Sequence, residues 1–322
     1  MRSRPQREDS FFLALVGDGT PLLLAAAVAI VFAGGFAVFI AATGDFLPHD
    51  VNFLGLDATQ LCKRNGCKVV DFMIHDRVAW GGALISIGTM FVWLIVFPLR
   101  HGADWAWWTL TAAGMLGFVS FLSYLSYGYL DVWHAIGTVL LLPVYVVGLI
   151  RTRSLVRSKS SPASLLRPAP LEWANRFEVG RLVLLAGAGG TALGGLAILW
   201  VGVTGVFVPE DLAFMDVVTS DLEAISERLV PLIAHDRTGF GGAVFVTGFT
   251  SFLCLWKSGL PPHLWQALAV AGTASLLCAI GVHLAVGYTD LKHLAPAVAA
   301  AGSLAIGLGL SYAPGRNIHQ SA

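Results

Sequence analysis

Charge is what this sequence has least of. Only 12% of the residues are charged and 56% are hydrophobic, at mean hydropathy +0.73, whereas a soluble domain carries roughly a quarter charged residues. That scarcity excludes a soluble enzyme and a disordered chain. An excess of either sign is also missing. Lys+Arg number 20 against 20 Asp+Glu, so no global field gathers polyanions, and nucleic acid is not an expected partner. Cysteine is rare as well, and four of them cannot build a disulfide scaffold.

What the chain has in place of charge is long apolar runs, and a helix needs about 20 such residues to cross a bilayer. The runs predict eight spans, at 22–43, 77–98, 105–125, 132–151, 180–202, 237–256, 264–285 and 293–312. The fold class is therefore an all-α polytopic membrane protein whose partner is the lipid bilayer. Arg2, Arg4 and Arg7 precede the first span and Arg100 follows the second. Arg151, Arg153, Arg157, Lys159, Arg167, Arg176 and Arg181 crowd the middle of the chain. By the positive-inside rule both termini and the middle segment are cytoplasmic in a multi-pass protein of the cell membrane. The middle segment, 152–179, is basic and rich in Ser and Pro, and reads as a tether lying on anionic headgroups.

The chain also repeats itself. Gly44-Asp45-Phe46-Leu47-Pro48-His49-Asp50 reappears about 160 residues later as Gly205-Val206-Phe207-Val208-Pro209-Glu210-Asp211. His75-Asp76-Arg77 with Gly81-Gly82 returns as His235-Asp236-Arg237 with Gly241-Gly242. Gly128-Tyr129-Leu130-Asp131-Val132-Trp133-His134 returns as Gly287-Tyr288-Thr289-Asp290-Leu291-Lys292-His293. Each half, 1–151 and 180–322, then holds four spans, and an even number gives both halves the same orientation. The expected architecture is two parallel-repeat four-helix bundles. The first span has a counterpart in the fifth, so it belongs to the fold and is not a cleaved signal.

The repeat sorts the nine histidines. His75 and His134 correspond to His235 and His293, all at the outer ends of even-numbered spans. Two imidazoles at matched depth on facing helices can ligate a haem iron from both sides; single histidines at helix starts more often hydrogen-bond a loop. Asp131 and Asp290, three residues before their histidines, suit an N-cap or the orientation of a ligand. Asp76 and Asp236 suit the first turn of a helix or a carboxylate–imidazole metal site. Arg77 and Arg237 could clamp haem propionates or snorkel to the interface. The paired glycines let helices approach. His283 corresponds to Tyr124 and would line the second site only. Cys62 and Cys67, in the first outside loop, are placed to form a disulfide, as a staple or a redox relay, while Cys254 and Cys278 read as core filler.

Eight spans in two parallel halves, a histidine at the outer end of every even span and a cysteine pair in the first outside loop resemble the haem A synthase family along the whole chain. The resemblance implies a haem b cofactor between His235 and His293, a haem substrate between His75 and His134, and Cys62–Cys67 as the family's outside cysteines. It also implies a partner from respiratory or haem-biosynthetic membrane assemblies. The family's Glu-x-x-His-Arg motif is altered here: Phe72 stands three residues before His75, and Asp76 separates His75 from Arg77. Asp71 and Asp76 are the remaining candidates for a catalytic carboxylate. A haem-binding redox protein, and if an enzyme then a haem-dependent membrane oxidoreductase, is thus the first functional expectation. The alternatives are a transporter with outer-facing polar vestibules and a non-catalytic membrane subunit.

Overall fold

The computed structural model describes residues 16–129, 132–157, 161–171 and 175–312, with the side chains of Tyr124, Val132, Trp133 and His134 excepted. Among the described residues there are helices and no strands. Eight of the helices are long and apolar enough to cross a membrane: Thr20–Thr43, Lys68–Leu99, Asp104–Tyr127, Ala135–Thr152 within the helix Val132–Thr152, Arg176–Thr204, Leu229–Ser258, Pro262–Val286 and Leu291–Leu310. The protein is an all-α, multi-pass membrane protein.

The second and sixth spans form its centre, with 61% and 67% of their most apolar stretches buried against 24% or less in the other six. Each packs on the preceding span of its own half, and the two pack on each other. The other large contacts of these two spans cross between the repeats. The second span lies against the seventh and the sixth against the third, so the third span of either half docks on the other half. The glycine pairs explain how. A Cβ on Gly81 would fall 2.7 Å from Gly34 O and from Val38 Cγ2 of the first span, while one on Gly82 would meet Cys278 Cβ of the seventh at 2.6 Å. In the other half, Gly241 abuts Leu199 of the fifth span, and Gly242 abuts Ser120 of the third, where a Cβ would sit 2.2 Å from Ser120 Cβ. One glycine of each pair therefore serves its own half and the next serves the other half.

Two spans begin earlier than the apolar pattern predicts. The second starts at Lys68 rather than 77 and the sixth at Leu229 rather than 237, which puts His75-Asp76-Arg77 and His235-Asp236-Arg237 inside helices, not in their first turns. Reading stopped at the charges because isolated charges end a span; these are paired with other buried charges, so the helix continues through them. At its far end the second span widens into a π turn, Ile95–Leu99, around Pro98, which has no N–H to offer the helical ladder.

At the histidine end the loops fold over the spans. Pro48–Leu54 and Pro209–Met215 are short helices starting at proline, and Asp50 and Asp211 in their first turns accept the backbone N–H of Leu47 and Val208 at 3.3 and 2.8 Å. The repeated Phe-x-Pro-x-Asp signature is thus a helix start. Cys62 and Cys67 are joined by a disulfide across the end of the helix Ala58–Asn65. The two caps interlock, Arg228 donating to Phe53 O at 2.9 Å and Asn65 to Met215 O at 3.5 Å.

At the opposite end, the described part of the middle segment is a strap fixed to helix ends rather than a loose tether. Ala169 N donates to Trp256 O at 2.7 Å, and Lys257 Nζ donates to the carbonyls of Ser164 and Arg167 at 2.6 Å each. Arg181, 1% exposed, donates to Leu255 O at 3.1 Å and Pro170 O at 2.8 Å. The last carbonyls of the sixth span lack helical partners, and the strap supplies them; composition alone does not show this pairing.

Candidate metal centre

At the histidine end, His75, His283 and His293 converge, each offering one ring nitrogen within 4.8 Å of the other two. The helix Lys68–Leu94 carries the first, Pro262–Val286 the second and the first turn of Leu291–Leu310 the third. His75 Nε2 stands 3.0 Å from His283 Nε2. The rings of His75 and His293 lie 5.5 Å apart, and those of His283 and His293 5.3 Å.

The outward nitrogens fix the tautomers. His75 Nδ1 lies 3.0 Å from Asp76 Oδ1, and His283 Nδ1 lies 2.7 Å from the Tyr288 carbonyl oxygen. Both partners are acceptors, so both Nδ1 atoms carry the proton. Tyr288 donates its own hydroxyl to Asp211 Oδ1 at 2.8 Å, so at 3.0 Å its oxygen accepts from His293 Nδ1. The Nε2 atoms are left for other partners. Those of His75 and His283 lie 3.0 Å apart, a spacing that a shared proton or a metal ion satisfies. Metal–nitrogen bonds of about 2.0–2.1 Å set tetrahedral donors about 3.3 Å apart, close to the spacing of this pair. Outward hydrogen bonds of this kind are how proteins aim histidine ligands.

A buried charge network surrounds the cluster and draws on corresponding residues of both halves. Arg77 pairs with Asp50 at 2.7 Å and with Asp236 at 2.8 Å, and Asp236 in turn meets His235 Nδ1 at 3.0 Å. Arg237 Nη1 pairs with Asp211 Oδ2 at 2.7 Å, and its Nε has no hydrogen-bond partner among the described residues. Tyr129 donates to Asp50 as Tyr288 does to Asp211. Burial alone would raise the Asp50 pKa, but Arg77 and the Tyr129 hydroxyl hold it below the ordinary carboxylate range. Burial and the neighbouring carboxylates push the Tyr129 and Tyr288 phenols well above their ordinary values, so they remain donors. Asp50, Asp76, Asp211 and Asp236 face two guanidinium groups and the imidazoles of His49, His75, His235 and His293.

The sequence reading expected His75 to face His134 and His235 to face His293. The structure places His75 of the first half against His283 and His293 of the second, because the second span lies beside the seventh. His235 stands on the other side of the centre, its ring 4.9 Å from that of Tyr129. The side chain of His134 and the whole of Asp131 lie outside the described residues. Asp290 is an N-cap, accepting from Lys292 N at 2.9 Å and His293 N at 3.0 Å. Asp76 orients His75, whereas no hydrogen bond or ion pair joins Asp71 to the cluster among the described residues. Arg77 holds two carboxylates of the protein itself. Reading by pattern did not assign Asp50, Asp211, Tyr129 and Tyr288 to the site, although all four lie in repeated segments, and it left His283 as a lining residue because only one half has it.

No protein family, no curated protein and no solved structure matches the chain.

Proposed function

We propose that this is an integral membrane metalloprotein with a transition-metal ion held by His75, His283 and His293 at the outer membrane face, acting on a small ligand at an open fourth position. The observation that carries this reading is the orientation of the three imidazoles, each with Nδ1–H directed to a fixed acceptor and its lone pair left for a metal. Neutral nitrogen ligands suit zinc, copper and iron, and three protein ligands with a vacant position are the pattern of reactive rather than structural sites. A bound ion would supply Lewis acidity and lower the pKa of a coordinated water. The chain's own residues do the rest. Asp76 and Tyr288 hold the rings in one tautomer, and the Tyr288–Asp211 hydrogen bond gives His293 a polarised partner.

The haem expected from the resemblance to haem A synthases is a second reading. One observation favours it: His235 stands by Tyr129 in the other half as His293 stands by Tyr288, and two histidine sites are what a two-haem protein needs. In the cluster as packed, His283 and Tyr288 stand beside His75, their rings 4.3 and 5.6 Å from it, which favours the metal reading there.

Metal analysis of the purified protein, with its visible spectrum, separates the two. The expected result is one metal ion per chain, lost on His75→Ala or His293→Ala, with no Soret band. A Soret band that disappears in the same variants would establish haem instead, and a protein with neither metal nor Soret band would end both readings.

A further inference from the structure

At the end of the spans away from the histidines, the strap encloses an apolar groove of about 350 Å3. One wall is Pro162, Leu165 and Leu166 of the short helix Pro162–Leu166. The other is Phe249, Phe252, Leu253 and Trp256, which share one face of the sixth span over two turns. From Phe249 to Trp256 the helix rises about 10 Å, against a hydrocarbon leaflet about 15 Å deep. The lining side chains carry no charge, and the Trp256 indole N–H is their one polar group. Such walls suit an extended hydrocarbon chain and give a polar ring little to bind.

The mouth of the groove is basic. Lys257 follows Trp256 and donates to the carbonyls of Ser164 and Arg167 at 2.6 Å each, so it sits against the same short helix. An ammonium has three donors, and these bonds use two. Arg167 is exposed, its guanidinium in no hydrogen bond or ion pair among the described residues. The Ser164 hydroxyl is buried and also lacks a hydrogen-bond partner among the described residues. Leu166, beside Arg167, is 77% exposed, and a segment pairing apolar and basic side chains in this way lies at a bilayer surface. The described acids at this end, Asp18, Asp104 and Glu178, are outnumbered by Arg100, Arg151, Arg153, Arg157 and Arg176 even before these two cations are added. Glu178 is already paired with Arg181 at 3.1 Å.

We propose that the groove binds an anionic phospholipid, with one acyl chain between the strap and the sixth span and the headgroup phosphate on Lys257, Arg167 and the Ser164 hydroxyl. The phosphate oxygens supply the acceptors that these three groups lack. A zwitterionic lipid offers the same chain and phosphate, but its ammonium meets a basic surface, so the net charge of the headgroup sets the preference. The site is separate from the metal centre and does not depend on it.

The test places the full-length protein in phosphatidylcholine vesicles with a trace of a photoreactive lipid, phosphatidylglycerol or phosphatidylcholine, carrying a diazirine in its acyl chain. Labelled peptides are mapped by mass spectrometry. The phosphatidylglycerol probe is expected to label 162–166 and 249–256 at least about fivefold more than the phosphatidylcholine probe, since each basic side chain near the headgroup is worth about fivefold in affinity for an anionic lipid. Lys257→Gln and Arg167→Gln should each cut phosphatidylglycerol labelling by about that factor and leave phosphatidylcholine labelling unchanged. The control is Arg228→Gln, exposed at the histidine end, which should alter neither. Equal labelling by the two probes would make the groove ordinary lipid-facing surface and overturn the proposal. So would the absence of label from both peptides, or an equal loss in Arg228→Gln. Lys257 also anchors the strap; if Lys257→Gln does not fold, Arg167→Gln alone decides, an unchanged preference counting against the site.

Discussion

The two centres at the histidine end share a scaffold and differ in what it holds. In both, an arginine of a central span pairs with an aspartate in a proline-started loop helix, that aspartate accepts a tyrosine hydroxyl, and a histidine leans on the next aspartate along its own helix. Around His75 the scaffold gathers two further histidines; around His235 it presents the ring of Tyr129. Sequence correspondence puts Tyr124 in the first half where the second has His283. The charge network is thus a property of the repeat, whereas among the described residues the converging histidines occur in one copy. The buried Arg77–Asp236 pair joins the two halves.

The most direct way to break this comparison is to make the His75 centre resemble the His235 centre. His283→Tyr keeps a ring at that position and removes the third nitrogen, so metal stoichiometry should fall from about one per chain towards zero, an affinity loss of about 100-fold or more, with the helical content kept. Retention of a full equivalent of metal would show that the third histidine is not a ligand.

The crossing of the halves is open to a smaller perturbation. Gly242→Leu forces a side chain into Ser120 of the third span, and overpacking of this kind costs about 1–3 kcal/mol. Gly35→Ala, in the first span with open space around it, should change nothing. Equal melting temperatures for the two variants would contradict the packing of the third span on the sixth.

How much of this was legible in the sequence depends on whether a feature is local. The eight spans are, since apolar length is a property of each segment, and the repeat showed which polar residues matter. The partner of a repeated residue is not local. His75 lies beside His283 because Gly82 lets the seventh span close on the second, and no periodicity in either helix announces that crossing. His283 was the hardest to assign for the reason that makes it informative: a residue present in one half alone breaks the pattern used to find the others. Asp50 and Asp211 were visible as repeated letters, but their reach to the arginines depends on loop helices folding back over the spans.

The mildest expected effect concerns acid. Asp50 has its pKa depressed by Arg77 and Tyr129 against the opposing effect of burial, so it contributes stability that is complete above the ordinary carboxylate value of 3.8 and is lost as pH falls through its lower native value. In Asp50→Asn the melting temperature should lose that acid-side decline, starting from a lower plateau at neutral pH. An acid profile parallel to wild type would place the titrating group elsewhere and remove Asp50 from the shared scaffold.

The central claim is that His75, His283 and His293 hold one metal ion. X-ray absorption of the metal-loaded protein tests it most directly. The account predicts one metal per chain, with three histidine nitrogens at about 2.0–2.1 Å and multiple scattering from three imidazole rings. The planar scattering of a porphyrin, or a first shell of thiolate or oxygen donors, would contradict it.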